Sequence, residues 1–286
     1  MIKTQEIISR LSRSQKRLSK SHRKIAQLIE THYDKAVYMT AQKMGEIADV
    51  SESTVVRFAV ALGYEGYPQM QKALQEIVRH RLTTSQRFAM AADISEDELL
   101  DTVLKTDIDN IKATIGQLNR DVFRQVVDEI SRAKTIYVLG LRSAAPLAQF
   151  FGHYLHFIFD DVRTIGSTGS DVFEFIARIK PEDTMVAISF PRYSSRTIES
   201  MRFARSRGVR VIGITDGALS PLHEASDLCL DAQTGMVSFA DSLAAPLSLL
   251  NALIATLGVR NQQTLSANFR DMEEVWDTYR IYAGKE

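Results

Sequence analysis

Cysteine is almost absent. Among 286 residues Cys229 stands alone, so no intramolecular disulfide can form. Its place in the apolar run Asp227-Leu228-Cys229-Leu230 marks it as buried core rather than a nucleophile. No apolar run reaches the ~18 residues that a membrane span needs. The N-terminus is basic and amphipathic and lacks an apolar stretch followed by a small-residue cleavage site, so no secretory leader is expected. No internal repeat and no low-complexity tract is visible. Net charge is missing as well, because 35 Lys+Arg balance 35 Asp+Glu. Together these absences exclude disulfide-stapled secreted folds, membrane-spanning proteins and solenoids, and they favour the cytoplasm.

What is present is a composition of 45% hydrophobic and 24% charged residues, as in soluble globular proteins, over a length that suits two domains. The zero net charge hides an asymmetry. Residues 1–85 hold 14 Lys+Arg against 8 Asp+Glu, and residues 86–286 hold 21 against 27. The first 24 residues alone carry Lys3, Arg10, Arg13, Lys16, Arg17, Lys20, Arg23 and Lys24 against a single Glu6. A basic head on an acidic body suggests that the head meets a polyanion.

Within that head, Met39 to Gly63 reads as two short helices joined by a tight turn. Thr40 suits the N-cap of the first, which runs from Ala41 to about Ile47, and Ala48-Asp49-Val50 form the turn. Ser51 suits the N-cap of the second, Glu52 to Leu62, and Gly63 provides a left-handed stop. Val55, Phe58, Ala59 and Leu62 share one apolar face. Glu52, Ser53, Thr54 and Arg57 lie elsewhere and crowd the N-terminal half, the part that a helix-turn-helix lays against base edges. Arg can fork onto guanine, Ser and Thr can bond several bases, and Glu can accept from cytosine. Lys43 and the basic arm suit phosphates. A plain αα-hairpin with a solvated polar face fits the same pattern; the flanking charge tips the choice toward DNA.

Around this pair, residues 4–12 can form a short helix and Ser21 can cap another containing Ile25, Leu28 and Ile29. A further helix follows Pro68, from Gln69 to about Arg79. The head is thus an all-α bundle over residues 1–80. Residues 80–93 lack a period and read as a linker. Ser95 with Glu98 forms a capping box for a helix with Leu99, Val103, Thr106, Ile108 and Ile111 on its apolar side. Linker and helix make a coupling segment, 81–120, and the second domain occupies 121–286. There, short apolar runs alternate with helices at 135–140, 162–164, 184–189, 209–215 and 227–230. That rhythm predicts a multidomain chain whose second part is a doubly wound five-stranded parallel-sheet α/β domain. The apolar helix at 241–257 is either core or a subunit interface.

Ligands of such sheets sit beyond the carboxyl ends of the strands. Two loops there carry the needed chemistry. The first is Gly140-Leu141-Arg142-Ser143, where glycine permits a tight turn and Ser143 opens a helix. The second, Ser189 to Thr197, packs hydroxyls (Ser189, Ser194, Ser195, Thr197) and arginines (Arg192, Arg196) at another helix start. With Arg142, these form a cradle for a phosphate-like anion. Ordinary N-capping explains one such loop; two at corresponding strand ends argue for a site.

The pieces VLGLRSAAPLA, AISFPRYSSRTIESMRFARSRGVRVIGITDGALSPLHEASDLCL and SLAAPLSLLNALI resemble a sugar isomerase (SIS) domain, which is flavodoxin-like. The piece MTAQKMGEIADVSESTVVRFAVALGYEGYPQMQKAL resembles the helix-turn-helix of RpiR-family bacterial regulators. The resemblance implies a transcriptional regulator, a repressor of a carbohydrate or related catabolic operon, relieved by a phosphosugar effector held by Ser143, Ser189, Ser194 and Thr197. It also implies a homodimer or homotetramer reading palindromic DNA. SFPRYS resembles the regulators rather than the enzymes, whose loop is Ser-x-Ser-Gly-x-Thr. The first loop reads Gly-Leu-Arg-Ser where the enzymes have Gly-x-Gly-x-Ser.

The alternative is a phosphosugar isomerase with an accessory DNA-binding head. Isomerisation needs a base between adjacent carbons. His223 reads as structural or surface, and His153 and His156 sit among aromatics. The segment 233–241 offers Asp241 but no Glu or Lys. No catalytic residue, cofactor or metal is therefore expected.

Overall fold

The computed structural model describes residues 18–31, 36, 39–79, 83–89, 94–166 and 171–282. The helix expected over 4–12 and most of the basic arm lie outside the described residues. The chain divides into two compact units, Met1–Ser95 and Glu96–Glu286.

The first unit is helical: α1 (Lys20–Thr31), α2 (Ala41–Ala48), α3 (Glu52–Ala61), α4 (Tyr67–Arg79) and α5 (Thr84–Ala89). Its core is the set that helical spacing selects, with Ile25, Ile29, Met44, Val55, Phe58, Ala59, Leu62, Met70 and Leu74 buried. Full burial of such side chains contributes about 1.5–3 kcal/mol each. Ser19 rather than Ser21 caps α1, accepting the His22 N–H at 3.2 Å. The stretch read as a linker without a period contains α5. Its start is a reciprocal capping box, in which Thr83 Oγ1 accepts the Gln86 N–H and Gln86 Oε1 accepts the Thr83 N–H.

The second unit opens with α6 (Glu96–Gln117) and α7 (Arg120–Arg132). The sheet follows: β1 (Ile136–Gly140), β2 (Val162–Ile165), β3 (Thr184–Ile188), β4 (Arg210–Thr215) and β5 (Leu228–Asp231). All pairings are parallel and the order is β2-β1-β3-β4-β5. The connecting helices are α8 (Ala145–Leu155), α9 (Val172–Ile176), α10 (Ser195–Ser206) and α11 (Pro221–Ala225), with α12 (Ala244–Arg260) and α13 (Gln262–Thr278) after the sheet.

The period-2 alternation of strand side chains divides the core. Ile136, Val138, Val186, Ile188, Ile212 and Ile214 pack with α7, α8 and α12 through Val127, Phe151, Leu250 and Leu253. Tyr137, Leu139, Met185, Ala187 and Val211 face α9, α10 and α11 through Ile176, Met201 and Leu222. Two covered faces explain why these strands read as unbroken apolar runs. Leu249, Leu250, Leu253 and Leu257 are buried, so the apolar helix after the sheet is chiefly core.

Helix α6 departs from expectation. Of the residues that spacing places on its apolar side, Leu99, Thr106 and Ile111 are half-buried but Val103 and Ile108 are exposed, and its buried residues are Asn110 and Thr114. They bond the chain after β5. Asn110 donates to Gly235 O and accepts the Gly235 N–H, both at 2.9 Å, and Thr114 Oγ1 accepts the Gln233 N–H at 2.9 Å.

Candidate DNA-reading helix and anion-binding loops

In the head, Thr40 caps α2 by accepting the Lys43 N–H at 3.1 Å. Asp49 then turns the chain through the left-handed region at φ 53°. Gly45 makes this turn possible by close approach, since a Cβ there would lie 2.8 Å from Val50 O. Gly63, at φ 87°, is the left-handed stop after α3. Lys24, from the basic stretch, bonds the turn through Asp49 at 2.6 Å.

Helix α3 buries Val55, Phe58 and Ala59 and leaves Glu52, Ser53 and Arg57 exposed. Ser51 occupies the N-cap position without a side-chain cap bond. Its hydroxyl instead joins Ser53 Oγ at 3.0 Å and Thr54 Oγ1 at 2.8 Å, and Arg57 donates to Thr54 Oγ1 at 3.2 Å. The result is a polar cluster along the first two turns. Lys43 stands on α2 in an exposed pair with Glu46, which contributes little and leaves the ammonium available to phosphate. Val56 and Val60 also lie on the outer side of α3. The sequence reading passed over them, although their spacing of 3 and 7 from Ser53 places them on the same stripe.

In the second unit, β1 and β3 are neighbours, and Gly140 pairs with Ile188. The loops that follow them therefore start side by side, at the point where the strand order reverses. Gly140 does not make the turn. Arg142 does, at φ 57°. Gly140 serves packing instead: a Cβ would lie 2.6 Å from Ala144 O and 2.7 Å from the Ala148 Cβ. Arg142 and Ser143 are exposed in a single 3-10 turn, Arg142–Ala144.

The second loop is closely organised. Ser189 is buried, and its Oγ accepts the Ser194 N–H at 3.4 Å. Ser194 caps α10, accepting the Thr197 N–H at 3.4 Å. Thr197 is 0% exposed and its hydroxyl has no hydrogen-bond partner. Ser195 is exposed at the first helical position. Arg196 is engaged elsewhere, pairing with Asp171 at 3.1 Å and lying over the Phe173 ring. Sequence reasoning missed what lies behind the loop. Tyr193 Oη donates to Asp216 Oδ1 at 2.7 Å, and Gln233 Nε2 donates to Asp216 O at 3.1 Å. Those are pairings between loops, which no local pattern announces.

Two of the histidines weighed as bases have partners of their own. His153 packs edge-on against Tyr154 and Phe157 on α8. His223 bonds Asp231 at 2.8 Å.

A helical head with an exposed polar stripe on the second helix of a helix-turn-helix, followed by a parallel α/β domain with two hydroxyl-bearing loops after β1 and β3, has the architecture of a two-domain DNA-binding regulator. The sequence model of the helix-turn-helix domain of the rpiR family matches residues 5–80, and that of the SIS domain matches 129–256. The HTH-type transcriptional regulator HexR of Pseudomonas aeruginosa is 29% identical over 218 residues, covering 75% of this chain and 74% of its own. An HTH-type transcriptional regulator of Clostridium perfringens is 24% identical over 223 residues, covering 77% and 79%. Among solved structures, the sugar isomerase domain of an RpiR transcription factor from Sphaerobacter thermophilus is 28% identical with a TM-score of 0.60, covering 62% of this chain and 99% of that one. NanR of Vibrio vulnificus, complexed with ManNAc-6P, has the same fold at 20% identity and a TM-score of 0.59, covering 97% and 100%. The chain thus carries the helix-turn-helix domain of the rpiR family followed by a SIS domain, as in transcriptional regulators. Among the described residues, no helix is long and apolar enough to cross a membrane.

Proposed function

We propose that this regulator represses a carbohydrate operon and releases it when a phosphosugar binds the SIS domain. The observation that carries the effector reading is the Thr197 hydroxyl, fully buried and unpartnered at the N-terminus of α10. Buried hydroxyls are nearly always satisfied. One left open beside the Ser189 and Ser194 hydroxyls and the free N–H groups of a helix start suits a ligand oxyanion. Exposed Ser143 and Arg142 on the neighbouring loop and Ser195 on α10 complete the proposed site, and Arg196 adds charge from its pair with Asp171. NanR, bound to ManNAc-6P, supports the phosphosugar class.

On DNA, Arg57, Thr54, Ser53 and Glu52 read base edges while Lys43 and the basic arm hold phosphates. Two heads related by a two-fold axis suit a palindromic operator. The second copy docks along α6, a 22-residue helix on which Leu100, Leu104, Ile108 and Ile115 are exposed in one stripe, Leu100 at 68% and Ile115 at 63%. A stripe of that spacing is self-complementary across a two-fold axis. The protein acts in the cytoplasm and is not an enzyme: neither loop brings a Glu, His or Lys base to the cradle.

The test is operator binding by fluorescence anisotropy with hexose phosphates, amino-sugar phosphates, sugar acids and their unphosphorylated parents. A phosphorylated sugar is expected to release the operator and its parent to leave it bound. Equal potency of the parent would overturn the effector class, and turnover of a phosphosugar would overturn the non-enzymatic reading.

A further inference from the structure

A cluster outside the cradle has the composition of a cation site. Strand β5 is an edge of the sheet, and Cys229 and Asp231, two residues apart on it, point to one face. Helix α11 brings His223 to them, and His223 Nε2 lies 2.8 Å from Asp231 Oδ1. The imidazole nitrogen, the thiol sulfur and the carboxylate oxygen all lie within 4.8 Å of one another. Room for the sulfur comes from β4, where Gly213 pairs with Cys229. A Cβ on Gly213 would lie 2.9 Å from Cys229 Sγ and 3.3 Å from Ser226 Oγ. Ser226 is buried beside the thiol, and its hydroxyl finds no nitrogen or oxygen partner.

We propose that His223, Cys229 and Asp231 bind a Zn²⁺-like divalent cation, with the fourth position open to water. One nitrogen, one sulfur and one carboxylate oxygen form a donor set suited to zinc, and an open fourth position is typical of three-ligand zinc sites. The nitrogen and the oxygen need little movement. Replacing the His223–Asp231 hydrogen bond by two bonds of about 2.1 Å at a tetrahedral angle separates nitrogen and oxygen to about 3.4 Å. The carboxylate of Asp231 beside the thiol favours a cation, and coordination deprotonates a thiol. The site is independent of the effector reading.

The experiment uses the full-length, tag-free protein, stripped with a chelator and titrated with Co²⁺. A saturable sulfur-to-cobalt charge-transfer band is expected. Because the chain has one cysteine, that band can come only from Cys229. Cys229→Ser is expected to remove it, and His223→Gln to weaken Co²⁺ by at least about tenfold. On the unaltered protein, Zn²⁺ is expected to raise the thermal midpoint, while Mg²⁺, which takes oxygen ligands, leaves it unchanged. Absence of the band, a band surviving in Cys229→Ser, or equal effects of Zn²⁺ and Mg²⁺ would overturn the site and leave His223–Asp231 as a bond pinning α11 to β5.

Discussion

Replacing Thr197 with valine separates a residue that awaits a ligand from one that supports the fold. The hydroxyl is fully buried and makes no hydrogen bond. A polar group in that condition costs about 1–3 kcal/mol. Valine keeps the branched shape, retains the backbone N–H that caps onto Ser194 and removes only the oxygen. The unliganded variant is therefore expected to be as stable as the parent or more stable, by up to about 3 kcal/mol. Each kcal/mol corresponds to about 2–4 °C for a unit of this size. The effector moves the other way. A hydroxyl donating to a charged oxygen contributes about 1.5–3 kcal/mol, and 1.4 kcal/mol is tenfold, so affinity is expected to fall about 10–100-fold. The assays are thermal unfolding without ligand and calorimetric titration with the phosphosugar that releases the operator. Undiminished stability together with weaker effector binding is required. A variant less stable by more than about 1 kcal/mol, binding the effector as before, would show that the hydroxyl serves the fold and would refute the reasoning.

Three further outcomes are expected. Arg57→Ala, which removes the side chain held by Thr54, should cost about 1–3 kcal/mol of operator affinity and relax base preference at one position; anisotropy with permuted operators reads this, and an unchanged profile would take Arg57 off the bases. Leu104→Glu with Ile108→Glu should shift sedimentation toward the monomer while circular dichroism stays unchanged, because each side chain forfeits about 1.5–3 kcal/mol of burial in the pair; an unaltered association state would remove α6 from the interface. His22 has its pKa held below its ordinary 6.5 by burial and the nearby Arg57 charge. The unfolded chain thus binds the proton more readily, and head stability is complete above 6.5 and falls as the pH drops through and below it. His22→Gln should lose less thermal stability between pH 7.5 and 5.5 than the parent, and equal losses would contradict the assignment.

How much of this was legible in the sequence follows from how local each interaction is. The strands could be read because a sheet covered on both faces demands unbroken apolar runs, and Val138, Val186 and Ile212 obey that demand one residue at a time. The helix-turn-helix could be read because Val55, Phe58 and Ala59 repeat within a single helix. Helix α5 was missed because its six residues carry almost no apolar period; the Thr83–Gln86 box was its readable signal. The inner face of helix α6 was read only in part, for a deeper reason. Spacing assigns the apolar stripe to the inside, yet Asn110 and Thr114 occupy the inside because the chain after β5 presents bare N–H and C=O groups at Gly235 and Gln233. Burying those groups unpaired would cost more than exposing a leucine. Local periodicity carries no information about a backbone segment more than a hundred residues away. The proposed hydroxyl cradle divides the same way. That Ser189, Ser194 and Thr197 converge was visible in a nine-residue loop. Ser189 and Ser194 satisfy the loop's own N–H groups and Thr197 satisfies none, a distinction that exists only in the folded geometry. It is also the distinction that separates capping from ligand binding, so the effector reading stands on Thr197 more than on the serines around it.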